Sequence, residues 1–244
     1  MADTKKRKNL LQQMAPDFSQ KNELWLHSQD KLRKLVGILG MLLPLLLFVF
    51  LWVDMGYMQP LPSISHYYFT RVCGIFILVV GLLGFSLVVY KGWEKEDFFI
   101  SLAAGVSALL LLLFPTDNLG TDCNQDFSKV YVTILRTSKI RPGFHYACAA
   151  IFLGCLAYMS FFLFTKSDLP AGKRPARKVT RNRIYRSCAI VMVFAMMVII
   201  SGLAGIIPEN WYTQHSVTFW METLAIEAFG FSWMVKGRSF LKDR

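Results

Sequence analysis

Six apolar runs, each about as long as a bilayer is thick, limit this chain more than any other feature. They cover about residues 35–53, 72–90, 98–114, 144–164, 187–207 and 217–235. A hydrocarbon core about 30 Å thick is crossed by about 20 helical residues. In lipid, every backbone N–H and C=O must find a partner within the protein, so runs of this length are helical. The apolar residues come in blocks rather than in stripes of period 2 or 3.6. With 54% of 244 residues hydrophobic, the chain lies above the usual soluble composition. The reading is an all-α polytopic membrane protein, one bundle of six transmembrane helices, because no polar block is long enough for a second domain.

The charges then thread the bundle. Of 27 Lys and Arg residues, 22 lie in the tail before the first run, the second-to-third link, the fourth-to-fifth loop and the C-terminus from Lys236. Only 4 lie in the loop Pro115–Arg141, none in Asp54–Thr70 or the fifth-to-sixth loop, and Arg71 stands at a membrane edge. The positive-inside rule therefore predicts both termini in the cytoplasm. It also accounts for the net charge of +11 without a nucleic-acid partner. Residues 1–34 read as a basic cytoplasmic tail in which Leu24, Trp25, Leu32 and Leu35 suit an interfacial helix. Residues 35–238 read as the transmembrane domain and 239–244 as a second tail. The long charged lead is unlike a signal peptide, so the first helix is expected to stay uncleaved. Cys73, Cys148, Cys155 and Cys188 sit in apolar runs, as small packing residues do, and Cys123 sits alone in a loop. In the third run Ser101, Ala104, Gly105 and Ala108 share a face, which predicts close helix packing. The stretch KVYVTILRTSKI in the long loop reads as a surface or re-entrant segment.

The polar residues inside or beside these runs are the functional candidates. Glu227 lies about 15 Å into the sixth run, where an acid costs about 2.5–3.5 kcal/mol, so it is expected to face protein or a wet cavity. The topology brings His66, His145 and His215 to the outer end of the bundle with Glu222, which lies one turn past Thr218. Three imidazoles and a carboxylate suit a zinc ion with an open position for an activated water, which would hydrolyse a lipid amide or ester. No HxxxH or HExxH pair fixes two such ligands on one helix. No P-loop, Gly-x-Ser-x-Gly elbow, dinucleotide fingerprint or EF-hand occurs.

Several short motifs complete the pattern: Ser63-Ile-Ser-His-Tyr-Tyr68, Phe114-Pro-Thr116, Arg183-Ile-Tyr-Arg186, Phe219-Trp-Met-Glu222, Phe229-Gly-Phe-Ser-Trp233 and Lys236-Gly237. In these the chain resembles an uncharacterised family of bacterial and archaeal six-helix membrane proteins, catalogued as domain of unknown function 998. The likeness covers about residues 35–238. An acid commonly follows the family's arginine at the start of the second helix, and Val72 stands there in this chain. The resemblance implies a six-helix fold and a membrane location, without an activity. More distantly, such bundles look like the alkaline ceramidases and the Frag1/Sfk1 proteins.

The leading expectation is a non-enzymatic protein that binds or moves a lipid or small amphiphile. Its pocket near the outer leaflet would be lined by Ser63, Ser65, His66, Tyr67, Tyr68, Arg71, His145, His215, Glu222 and Glu227. The alternatives are a zinc-dependent lipid hydrolase using His66, His145, His215 and Glu222, and a structural or assembly subunit in which these residues only pack.

Overall fold

The computed structural model describes residues 23–119, 127–167 and 169–237, without the side chains of residues 23–30, 33, 128 and 171. Most of the basic tail, Cys123, most of the Asp- and Asn-rich half of the long loop, and residues 239–244 lie outside the described residues. Among those described the protein is all-helical, with a single antiparallel bridge, Thr70 to Tyr131, in place of a sheet.

Every apolar run falls on a helix. These are α1 (Glu23–Met55), α2 (Cys73–Val88), α3 (Lys95–Leu113), α4 (Ile140–Tyr158, continued by a π turn over Met159–Leu163) and α5 (Ala176–Leu203). A short α6 (Glu209–Gln214) leads into α7 (Val217–Lys236). Helices α1, α3, α4 and α5 are long and apolar enough to cross a membrane, the mark of an integral membrane protein. Helix α2 is apolar but only 16 residues long, about 24 Å at 1.5 Å per residue. Helix α7 has 20 residues and carries both glutamates.

Sequence order becomes spatial order. Helices α1 to α5 pack consecutively, α7 packs on both α5 and α1, and the six long helices close into a ring. Lipid tails are as apolar as leucine, so burial alone does not hold such a ring together; close van der Waals contact does. The expected face of α3 supplies it, with Ser101, Ala104 and Ala108 each fully buried. A Cβ placed on Gly105 would come within 2.6 Å of the Gly84 carbonyl oxygen and 2.7 Å of the Val88 nitrogen. Only glycine lets α2 and α3 approach that closely. Gly37 and Gly230 repeat the arrangement where α1 meets α7.

The two ends of the ring differ in chemistry. At one end, Glu94 and Asp97 form a capping box at the start of α3, which satisfies two orphan N–H groups. Lys166, just past α4, reaches Glu94 and Glu96 at 2.8 Å and Asp97 at 3.3 Å. Burial pulls the Lys166 ammonium toward lower pKa, but hydrogen bonds and attraction from the three carboxylates more than reverse this, and the net shift is upward. Ser160 pairs with Ser232 at 2.9 Å at the same end. At the other end lies the connection between α1 and α2. Its turn Ile64–Phe69 is tucked in, with Ile64, Tyr67 and Phe69 buried. Residues 131–139 of KVYVTILRTSKI form a non-helical surface strap, between a 3-10 turn that ends at Lys129 and Ile140, which opens α4. It meets the end of the Ile64–Phe69 turn through Val132 N–H to the Phe69 carbonyl, at 2.8 Å, and is held at Leu135 by both amide atoms of Asn118.

Candidate functional site

The tucked turn is irregular backbone at the mouth of the ring, and its polar groups need partners there. Helix α7 supplies them. The Phe219 N–H donates to the Pro62 carbonyl at 3.0 Å, and the Ser216 hydroxyl donates to the Pro60 carbonyl at 3.0 Å. The Ile64 N–H donates to Glu222 Oε2 at 2.6 Å. Ser216 takes the left-handed conformation (φ 47°) that ends α6 and starts α7. The turn is thereby pinned with Ser63, Ser65 and His66 against the start of α4 and the N-terminal half of α7.

A cavity of about 150 Å³ results. Its polar wall includes Ser63, Ser65, His66, Thr116, His145, Thr218 and Glu222. Its apolar wall comes from α4 and α5, with Leu153, Met196 and Ile199 among others. Tyr146, Ile200 and Leu203 also line it and are 41%, 56% and 57% exposed, so the cavity reaches the lateral surface of the ring. A second cavity of about 60 Å³ lies further inside and is almost wholly apolar, walled by Leu43, Phe76, Val80, Leu83, Phe152 and Phe229 with others. Ser65, Glu222, Ala149 and Leu153 line both.

Inside the larger cavity the histidines are held rather than free. His145 Nδ1 lies 2.8 Å from the Phe114 carbonyl oxygen and its Nε2 lies 2.9 Å from Ser65 Oγ. His66 Nδ1 lies 2.7 Å from Ser63 Oγ. Burial, with His145 close by, pushes the His66 pKa down to about 4, so His66 is a neutral imidazole at pH 7.

Five of the expected pocket residues thus line the larger cavity: Ser63, Ser65, His66, His145 and Glu222. The other five lie elsewhere. Tyr67 is fully buried against Phe219, and Tyr68 packs edge-on against Phe69 and Phe76. Arg71 is exposed and faces Asp54 at 3.6 Å. His215 stacks on Trp211 with its Nδ1 2.8 Å from that residue's carbonyl. The left-handed Ser216 separates it from α7, so it does not continue the Thr218–Glu222 face as a single helix would require. Glu227 is half-buried on α7 and lines neither cavity. Thr116 and Thr218 join the site without having been expected. Thr116 sits just past the proline that ends the third apolar run, at the same end of the bundle, and that position is the signal that marks it.

The four residues read as zinc ligands, His66, His145, His215 and Glu222, do not gather into one group. Among the described residues no group of three His, Cys, Asp or Glu side chains lies close enough to hold a metal ion. Both ring nitrogens of His145 already have partners, and His215 is carried away on α6.

No family model, no curated protein and no solved structure matches the chain.

Proposed function

We propose that this is a six-span membrane protein of the bacterial cytoplasmic membrane, with both termini inside, that binds or moves a lipid or small amphiphile. One observation carries the reading: a cavity with hydroxyls, imidazoles and a carboxylate on one wall and aliphatic side chains on the other, reaching the lateral surface of the helix ring. A pocket of that kind suits a molecule that is itself half polar, because each wall meets its own chemistry. The orientation follows from the basic residues. The cavity lies at the lysine- and arginine-poor end, which the positive-inside rule places toward the outer leaflet. At about 1.5 Å per residue, α2 spans less than the full core, and local thinning or snorkelling accommodates such mismatch.

Native mass spectrometry of the detergent-purified protein tests the ligand. A bound amphiphile on the wild type, weakened or lost in Thr218→Leu, which fills the polar wall with an aliphatic group, is the expected result. A ligand-free wild type with a sharp melting transition would sink the reading. Labelling of single cysteines placed at residues 120 and 172 in intact cells tests the threading, with only the first expected to be accessible from outside.

A further inference from the structure

Ser65 and His145 are 80 residues apart in sequence and meet at 2.9 Å, Oγ to Nε2. The far side of the imidazole settles which of them donates. The Phe114 carbonyl, 2.8 Å from Nδ1, can only accept, so Nδ1 carries the hydrogen. In the neutral ring, the main form of an ordinary histidine above about pH 6.5, Nε2 is then a bare lone pair. The Ser65 hydroxyl donates to it. A hydroxyl donating to an imidazole whose other nitrogen is held by an acceptor is the arrangement that activates an oxygen nucleophile. The Phe114 carbonyl stands where a carboxylate orients the histidine in the familiar triads.

The position of Ser65 supports the same chemistry. It lines both cavities, at the seam between the polar and the apolar one. In an acyl ester amphiphile the ester carbonyl sits at the junction of head and tail. With the head among Ser63, His66 and Thr116 and a single tail in the inner cavity, that carbonyl comes to Ser65.

We propose that Ser65 and His145 are the nucleophile and general base of an acyl-transfer site for an ester-linked, single-chain amphiphile; this rests on the amphiphile-binding reading of the same cavity. Ser65 Oγ bonds to the carbonyl carbon and its proton passes to His145 Nε2. The bond between that carbon and the head-group oxygen breaks, and the departing oxygen takes the proton from Nε2. Water then attacks the acyl-serine, giving a proton to Nε2. The fatty acid leaves as Ser65 regains its hydrogen. The Phe114 carbonyl keeps the ring aligned throughout and faces the transient imidazolium.

The test uses the detergent-purified full chain and a long-chain alkyl fluorophosphonate. With that probe Ser65 Oγ bonds to phosphorus, fluoride leaves, and His145 takes the proton. Peptide mass spectrometry is expected to find one adduct per chain, on Ser65, and none in Ser65→Ala. His145→Gln is expected to slow labelling about 10²–10⁴-fold, the usual contribution of a general base. Thermal melts of each protein show that it is folded. Should His145→Gln fail to fold, the wild-type labelling rate against pH decides, because it must fall as the imidazole is protonated. A folded wild type that stays unlabelled, an adduct on another residue, labelling of His145→Gln at the wild-type rate, or a flat pH profile overturns the proposal. Native mass spectrometry on the same samples separates the two levels. Bound amphiphile without labelled Ser65 removes the chemistry and leaves the binding site, whereas no bound amphiphile removes both.

Discussion

Glu222 does two separable things, and two substitutions pull them apart. Its Oε2 accepts the Ile64 N–H at 2.6 Å, where Ile64 is 4% exposed. Glu222→Ala leaves that donor buried and unpaired, at a cost of about 1–3 kcal/mol. For a chain of this size each kcal/mol moves Tm by about 2–4 °C, so the variant should melt about 2–12 °C below the wild type. Glu222→Gln keeps a carbonyl oxygen where Oε2 was, with nearly the same volume. At most the extra strength of a bond to a charged acceptor is at stake, about 1 kcal/mol, and Tm should stay within about 4 °C of the wild type. Both variants lose the carboxyl group from the cavity wall, so both should bind amphiphile more weakly than the wild type. Differential scanning fluorimetry in detergent, paired with native mass spectrometry, reads the two effects side by side. An alanine variant as stable as the wild type would refute the claim that Glu222 pins the turn. A glutamine variant that binds amphiphile like the wild type would remove Glu222 from the ligand site.

Three further outcomes are expected. Gly105→Ala should lower Tm, because the added carbon meets backbone at 2.6–2.7 Å; overpacking costs about 1–3 kcal/mol, only partly offset by about 1 kcal/mol of helix propensity. Gly74→Ala, which meets nothing within 4 Å, should leave Tm unchanged or slightly raised, and equal melting of the two would contradict the close crossing. The depressed His66 pKa of about 4 means that the unfolded chain binds a proton there first. The stability it contributes is complete above about pH 6.5, declines as pH falls toward 4, and should decline less steeply in His66→Asn, as Tm measured against pH would show.

The runs of apolar residues made the helices legible, because a backbone in lipid has few other options. The small-residue face of α3 was equally readable, since Ala104, Gly105 and Ala108 can serve little else in a close crossing. What could not be read was the pairing of Ser65 with His145. Nothing local marks a contact across 80 positions, and a serine between Ile64 and His66 looks like any loop serine. The histidines were gathered at one end by topology alone, which fixes height but not azimuth. His66 and His145 therefore met in one cavity, while a single left-handed residue, Ser216, turned His215 away. Glu227 was expected to face protein or a wet cavity from its depth alone. Its azimuth on α7, which depth does not determine, leaves it off both cavity walls.

The turn that carries Ser63, Ser65 and His66 is held chiefly by α7, which follows the other five long helices in the chain. During synthesis that turn emerges early, between the first two helices, and must wait with unpaired backbone groups until more than 150 further residues have been made, as the separation of Ile64 and Glu222 (158 positions) requires. The cavity is thus a late product of biogenesis. A chain stalled before α7 would lack the segment that pins the turn and supplies Thr218 and Glu222, so the cavity is finished only once α7 has been made.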